Sequence, residues 1–421
     1  MIPNRSWYQE SVPVTAPRPA AGDMDVDVAI VGGGYTGLGA AIELAAQGVE
    51  TAVFEAGRIG DGASGRNGGQ WHRGQRLDPN TLRQMVGGDA ARQLWDMAED
   101  AWADLYFLIR SREIKCDHHG GLIHAWHRPH FETEDRAYVE SLKAWGLSDR
   151  LSFMDRAETA ECLGTDVYYG GMFDVGGGHL HPLKLVLGMA SVAEADGAKL
   201  YENSDVKRFE QMSDGVRLHL GNATTVTCRK LLLCGNGLME GLSQTIDTRV
   251  LPIQNFMLAT APLDDPAILP KGLAVSDSRF VVNYFRKTRD NRLIFGGGEG
   301  YGTGLPRDIA KIVRRNMLKI YPQLANVEIT HAWGGTLAVT QTRAPFVRQL
   351  SSDVFVSAGY SGQGVVLAPY FGKLLARAVT GDARDVELLS RLAVPPFPGG
   401  RWLRQPLLAA GLTYYALRDR L

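Results

Sequence analysis

The sequence has no excess of either charge: 45 Lys and Arg stand against 46 Asp and Glu, a net charge of −1. No basic field therefore points to nucleic acid or to an anionic membrane. Cysteine is scarce. Cys116, Cys162, Cys228 and Cys234 are the only four in 421 residues, and no Cys-x-x-Cys pair occurs among them, which excludes a zinc spacing and leaves no disulfide framework. No run of about 20 apolar residues is present, so no membrane-spanning segment is expected. The opening MIPNRSWYQESVPVTAPRPAAG lacks the apolar core of a signal peptide, and with reduced thiols this predicts a cytoplasmic protein. The histidines of HLHP (His179, His181) and DHHG (His118, His119) have no carboxylate at matching spacing, so no metal site is expected.

Glycine is the one residue in excess, 49 in all, without a collagen period. Its clearest cluster is VGGGYTG, where Gly32, Gly34 and Gly37 keep a G-x-G-x-x-G spacing. The cluster follows an apolar run, Val26 to Val31, and opens a helical pattern from Thr36 to Gln47 with Leu38, Ala41, Ile42 and Ala45 on one side. Gly48 ends that helix as a C-cap. ETAVFE returns as a second strand and ends on Glu55. Gly32 suits the tight turn, Gly34 close approach of a pyrophosphate, Gly37 helix-on-strand packing, and Glu55 a ribose hydroxyl. This is the pattern of a dinucleotide site.

GDGASGRNGGQ, residues 60–70, follows only a few residues later. Its backbone amides, with Ser64 and Arg66, are placed to reach the pyrophosphate, and its glycines suit a bed for a broad planar ring such as a flavin. Its two amide side chains, Asn67 and Gln70, are expected to point to where a substrate meets that ring. Near the other end, GYSGQGVVLAP sets Gly359, Gly362 and Gly364 before a helix, whose N-terminus suits the negative edge of a reduced flavin.

Between these ends the pattern predicts an irregular arm over the first 22 residues and mostly helix over 80–145. It predicts turn, helix and strand from GGMFDVGGGHLHP onward, then paired strands over DGVRLHLGNATTVTCRKLLLCGNG. Residues 250–300 read as β with a turn at TRDNR, followed by a helix near 306–321 and a last strand–turn–helix. Strands and helices alternate at both ends around a β-rich middle, which predicts an α/β protein of two intertwined domains. Residues 1–80, 150–235 and 335–421 form the expected cofactor domain. Residues 81–149 and 236–334 form the expected substrate domain. LLAAGLTYYALRDRL is expected to be a terminal helix docked on its own domain.

Together DVAIVGGGYTGLGAAIEL, GDGASGRNGGQ, GGGHLHP, LLLCGNG and GYSGQGV resemble the flavoproteins of the glycine-oxidase/sarcosine-oxidase superfamily. SGRNGGQ with RLIFGGG looks most like its gamma-glutamylputrescine oxidoreductase branch. The resemblance implies FAD on a glutathione-reductase-type Rossmann domain, intertwined with a substrate domain of antiparallel sheet plus helix. It places the adenine at the Val206 backbone and Asn67, Gly68 and Gly69 beside the isoalloxazine ring. Tyr35, Thr36, Ala56, Gly235, Gln363 and Val365 complete the expected cofactor set. Gln363 stands where many relatives carry histidine. Amino-acid oxidases of the superfamily share a W-x-G-x-R-P-x-T pattern whose arginine clamps the substrate carboxylate; WGGTLAVT keeps Trp333 and Thr340 but has Leu337 in the arginine's place. Arg286 and Arg343 are expected to be structural partners of nearby carboxylates or carbonyls, and His72 a surface or supporting residue rather than a flavin attachment point.

The activity implied is FAD-dependent oxidation of an amine, gamma-glutamylputrescine or a relative, as in polyamine catabolism. Hydride would pass from the carbon next to nitrogen to flavin N5, and the imine would hydrolyse to an aldehyde. Electrons would then go to O2 or another acceptor. An alkylamine has a pKa near ~10, and an apolar pocket favours its reactive neutral form. The expected pocket walls are Trp333, Tyr360, Gln363 and Tyr284. Two other readings stand beside this one: oxidation of an α-amino acid such as sarcosine or glycine, which Leu337 disfavours, and a non-catalytic dinucleotide-binding protein.

Overall fold

A computed structural model describes residues 5–300 and 304–400; the predicted C-terminal helix at 407–421 lies outside them. Two sheets organise the chain. In the first, five parallel strands run in the order Val354–Ala358, Thr225–Leu233, Met24–Val31, Thr51–Phe54 and Lys199–Tyr201. Phe346–Gln349 closes one edge in antiparallel fashion, and Val206–Gln211 with Val216–Leu220 forms a meander on Thr225–Leu233. Val28, Ala29, Ile30, Ala52, Val53, Leu231, Leu232 and Leu233 are all buried, as expected of parallel strands covered on both faces.

The helix Tyr35–Ala46 follows the strand Met24–Val31, and the helix Gly364–Val379 follows Val354–Ala358. Both start at the carboxyl ends of their strands, the edge at which open α/β sheets bind ligands. The first helix is buried over more than the one predicted side. Tyr35 through Ala41 and Leu44 are buried, while Ile42 and Ala45 are only half-buried. The reason is backbone contact with the helix Gly364–Val379. A Cβ on Gly39 would lie 2.1 Å from the Pro369 carbonyl oxygen, and one on Gly372 1.9 Å from that of Thr36.

The second sheet has the path Ile329–Val339, Leu251–Pro262, Arg292–Gly300, Tyr284–Lys287, Ala274–Asp277, His119–Ala125, Gly171–His179 and Gln70–Trp71, with Leu151–Met154 beside Gly171–His179. It is mixed rather than antiparallel, because Ala274–Asp277 runs parallel to His119–Ala125. One face packs on the helix Ile309–Ile320 through Phe256, Phe285, Phe295, Val313 and Met317. The other face looks toward the first domain.

Three expectations change. Residues 150–180 were assigned to the cofactor domain, but Leu151–Met154 and Gly171–His179 are hydrogen-bonded into the second sheet. GMFDVGGGH is strand, not turn. Its glycines permit close strand approach: a Cβ on Gly177 would lie 2.7 Å from Leu122 Cβ, and one on Gly178 2.3 Å from the His119 carbonyl oxygen. The arm is not wholly irregular either. Ser6 and Gln9 form a capping box on a short helix, Trp7–Glu10, that buries Trp7 and Tyr8.

Candidate functional site

The turn after the first strand is built for close approach. Gly32 has φ +103°, and a Cβ there would lie 2.9 Å from Gly235 Cα, so the turns after two neighbouring strands touch. A Cβ on Gly37 would lie 2.0 Å from the Gly32 carbonyl oxygen. Gly34 caps the helix with no side-chain hydrogen bond of its own, the kind of glycine-led helix start at which anions bind. The Glu55 carboxylate accepts the N–H groups of Gly33 at 2.8 Å and Gly57 at 3.0 Å. Burial raises its pKa, and those two N–H groups hold it back. Ala56 is exposed beside it. The Ser204 N–H donates to the Glu55 carbonyl at 2.8 Å, which brings the segment leading to the buried Val206 alongside.

The glycine-rich loop carries a short helix, Ala63–Arg66. The Ser64 hydroxyl accepts the Tyr35 N–H at 3.0 Å, tying this helix to the first turn. Asn67 is a staple rather than a probe of the site. Its Nδ2 donates to the Ala63 and Ser64 carbonyls at 3.0 Å each, and its Oδ1 accepts the Gly69 N–H at 2.7 Å. Gln70 turns away as well, donating Nε2–H to the Val275 carbonyl at 2.6 Å. Neither amide points where expected, because each satisfies buried backbone groups first. Arg66 donates Nε–H to the Gly334 carbonyl at 2.7 Å, and burial lowers its pKa.

Two of the expected pocket walls belong to the core. Trp333 is 0% exposed, and its indole N–H donates to the Arg66 carbonyl at 3.0 Å. Tyr360 is 5% exposed, with its hydroxyl 2.7 Å from both Thr36 Oγ1 and Ser357 Oγ. Both aromatics support the cradle from behind. Tyr284 and Gln363 are only half-buried. The Tyr284 ring covers Gly68 and Gly296, where a Cβ would lie 2.6 Å and 2.0 Å from it, and its hydroxyl donates to Asn255 Oδ1. Gln363 is the N-cap of the helix Gly364–Val379, between Gly362 (φ +99°) and Gly364, with Val365 buried behind. Gly359, at φ +75°, donates its N–H to Asn236 Oδ1 at 2.9 Å. This joins the last turn to the one carrying Gly235.

Sequence patterning missed Tyr8 and Asn236, while Arg286 is the structural partner of a carbonyl that it was expected to be. Arg286 is 4% exposed and donates Nε–H to the Gly68 carbonyl at 2.8 Å and Nη2–H to the Tyr8 hydroxyl at 3.1 Å. The only local signal was the capping box around Tyr8; the contacts themselves span most of the chain. The histidines are tethers. His179 stacks on His119 at 5.3 Å and hydrogen-bonds the Gly272 carbonyl, and burial takes its pKa to about 3. His181 accepts the Lys184 N–H at 3.1 Å and lies 2.8 Å from Ser11 Oγ. His72 is half-buried, with a pKa pushed down to about 4 chiefly by burial. Among the described residues no three His, Cys, Asp or Glu are grouped to hold a metal, and no helix is long and apolar enough to cross a membrane.

Gly32, Gly34 and Gly37, the Glu55 carboxylate and two helix starts lie along one sheet edge, where Gly32 and Gly37 let the turns, strand and helix close on one another. The donor set fits a dinucleotide carrying a flavin. Residues 27–378 match the family described as DAO, FAD dependent oxidoreductase. The chain belongs to this family. It is 43% identical over 420 residues to the probable oxidoreductase OrdL of Rhizobium meliloti (strain 1021), covering 99% of this chain and 98% of that one. It is 34% identical over 423 residues to the gamma-glutamylputrescine oxidoreductase of Escherichia coli (strain K12), again covering 99% and 98%. Glycine oxidase from Geobacillus kaustophilus shares the fold, with a TM-score of 0.73 at 21% identity over 85% of this chain and 95% of that one. The chain is thus an FAD-dependent oxidoreductase acting on CH–N bonds.

Proposed function

We propose that the chain oxidises an amine of the gamma-glutamylputrescine class to the imine, which water converts to the aldehyde. The observation that carries this reading is full-length similarity to the E. coli enzyme, joined to Leu337 on the strand that borders the loop. Leu337 offers no bidentate donor to a carboxylate beside the reacting carbon. Bound FAD supplies the two-electron acceptor.

The protein's own part is to hold and to exclude. Glu55 and the Val206 backbone bind the adenosine end. The helix start at Tyr35 and Thr36, with Ser64 and Arg66, receives the pyrophosphate. Gly68 and Gly69 would hold the ring, and the helix start at Gln363 and Gly364 would stabilise negative charge on it. Tyr284 and Asn255 border the substrate, and the aromatic surface disfavours the ammonium form of the amine.

An anaerobic absorbance spectrum, taken before and after gamma-glutamylputrescine is added, tests the reading. Bleaching of oxidised flavin is expected, and admitting air then identifies the acceptor. A flavin that stays oxidised sinks this substrate.

A further inference from the structure

Tyr8 is fully buried although it belongs to a helix of only four residues, Trp7–Glu10. A single helical turn has no stability of its own, so its place is set by what fastens the arm. Ser6 and Gln9 close the capping box. His181 accepts the Lys184 N–H through Nδ1 at 3.1 Å, which leaves its Nε2–H for Ser11 Oγ at 2.8 Å. The Ser11 hydroxyl donates in turn to the Tyr8 carbonyl at 3.1 Å. On the other side the Glu10 carboxylate lies 2.9 Å from His331 Nε2. Both domains therefore hold the arm within a few residues of Tyr8.

The Tyr8 ring meets His181 and Trp333 edge-on, with ring centroids 4.9 Å and 5.3 Å apart. A phenylalanine would keep both contacts. The hydroxyl has a separate partner. It accepts Arg286 Nη2–H at 3.1 Å, while Arg286 Nε–H donates to the Gly68 carbonyl at 2.8 Å. A planar guanidinium with two donors engaged on different sides has its orientation set. Arg286 is 4% exposed, and no carboxylate pairs with it among the described residues. With no anion to lock it, the guanidinium depends on the phenol oxygen for its setting.

The segment that Arg286 reaches is tightly confined. Gly69 has φ +71°, and a Cβ there would lie 2.1 Å from the Leu180 carbonyl oxygen and 3.2 Å from Arg286 Nη2. The Gly69 N–H goes to Asn67 Oδ1 at 2.7 Å, and its carbonyl accepts the Leu180 N–H at 2.8 Å. Those bonds fix Gly69 from within the loop and its neighbour. The preceding carbonyl, that of Gly68, is held by Arg286, and so by a contact that begins in the arm.

We propose that Tyr8 is a positioning residue for the flavin: through Arg286 it sets the Gly68 carbonyl, and with it the bed on which the ring rests. The inference rests on the placement of Gly68 and Gly69 at the ring in the proposed function, and it gives the amino-terminal arm a part in that site.

Tyr8→Phe removes the phenol oxygen and leaves the packing. In the FAD-loaded protein it is expected to change the visible circular dichroism of the flavin and to weaken FAD binding on the order of 10-fold. Arg286→Lys keeps the charge but loses the two-point hold, and should reproduce both effects. The double variant should be no worse than either single one, because all three break the same chain of contacts. Glu10→Gln loosens the arm without touching the Tyr8 hydroxyl and should keep the wild-type flavin spectrum. A wild-type spectrum and FAD affinity in Tyr8→Phe overturn the proposal. So does an equal change in Tyr8→Phe and Glu10→Gln, which would make the arm a packing element. These readouts need no substrate, so a wild-type enzyme that oxidises no amine defeats the proposed activity and leaves the result for Tyr8 standing. A Gly68→Ala variant with an unaltered flavin spectrum would instead remove the ring from Gly68, and the proposal falls with that placement.

Discussion

Trp333 and Arg66 exchange hydrogen bonds through the backbone. The indole N–H of Trp333 donates to the Arg66 carbonyl at 3.0 Å, and Arg66 Nε–H donates to the carbonyl of Gly334, the next residue, at 2.7 Å. The second sheet thus grips the end of the glycine-rich loop at two points. Trp333→Phe keeps an aromatic ring but removes the indole donor to the Arg66 carbonyl, at a cost of about 0.5–1.5 kcal/mol. The expected outcome is weaker retention of FAD, read as flavin fluorescence released on gel filtration. Full FAD retention with only a changed KM would put Trp333 back on a pocket wall.

Glu55 predicts a pH dependence of cofactor binding. Its folded pKa lies above the usual 4.5, so the FAD-free fold holds an extra proton between the two values. That contribution to stability is fully present below about 4.5 and is lost as pH rises through the folded pKa. A ribose hydroxyl donating to the carboxylate favours the ionised form, so FAD affinity should rise with pH across this window. Fluorescence titrations from about pH 4.5 to 7 should show that slope. Glu55→Gln should flatten it and weaken binding roughly 10-fold at neutral pH.

A third expectation concerns the two helices. Gly372→Ala would drive a methyl group into the Thr36 carbonyl, where only 1.9 Å is available. Overpacking against backbone should cost about 3 kcal/mol, visible as a lower melting temperature and loss of FAD. Gly88→Ala is the control. Nothing lies within 4 Å of a Cβ there, so its melting temperature should match or slightly exceed wild type.

His124 offers a test of the second sheet. Its ring hydrogen-bonds Asp135 at 2.9 Å. Burial lowers its pKa, but that hydrogen bond and the charges of Asp135, Asp277 and Glu134 outweigh burial and leave it raised above 6.5. The stabilisation is therefore fully present below pH 6.5 and lost as pH rises through the folded value. NMR titration of the His124 ring should show the raised pKa. Asp135→Asn should bring it below 6.5 and remove this part of the pH dependence of melting.

The first βαβ unit, with Glu55 directly after its second strand, was readable because it depends on local spacing, and local spacing is what a sequence displays. Trp333 and Tyr360 were misread for the opposite reason. An aromatic residue in a motif reveals its type but not the direction in which its ring points, and here the rings point behind the cradle. GMFDVGGGH was misread because glycine serves both turns and close strand contacts, and only the neighbouring strand tells them apart. Arg286 was legible as a structural partner of a carbonyl, but which carbonyl it holds, that of Gly68, appeared only when the fold brought Tyr8 and Gly68 to either side of it.

The contacts of Gly39 with Pro369 and of Gly372 with Thr36 join segments more than 300 residues apart. Each is too close to form loosely, so the helix Tyr35–Ala46 reaches its final position only when the helix Gly364–Val379 arrives. During synthesis the nascent chain can assemble its first strands early but cannot complete the nucleotide cradle until residue 372 has left the ribosome. Cofactor uptake is accordingly an event of the nearly finished polypeptide, and a chain broken off before the helix Gly364–Val379 should emerge as an FAD-free species open to proteolysis.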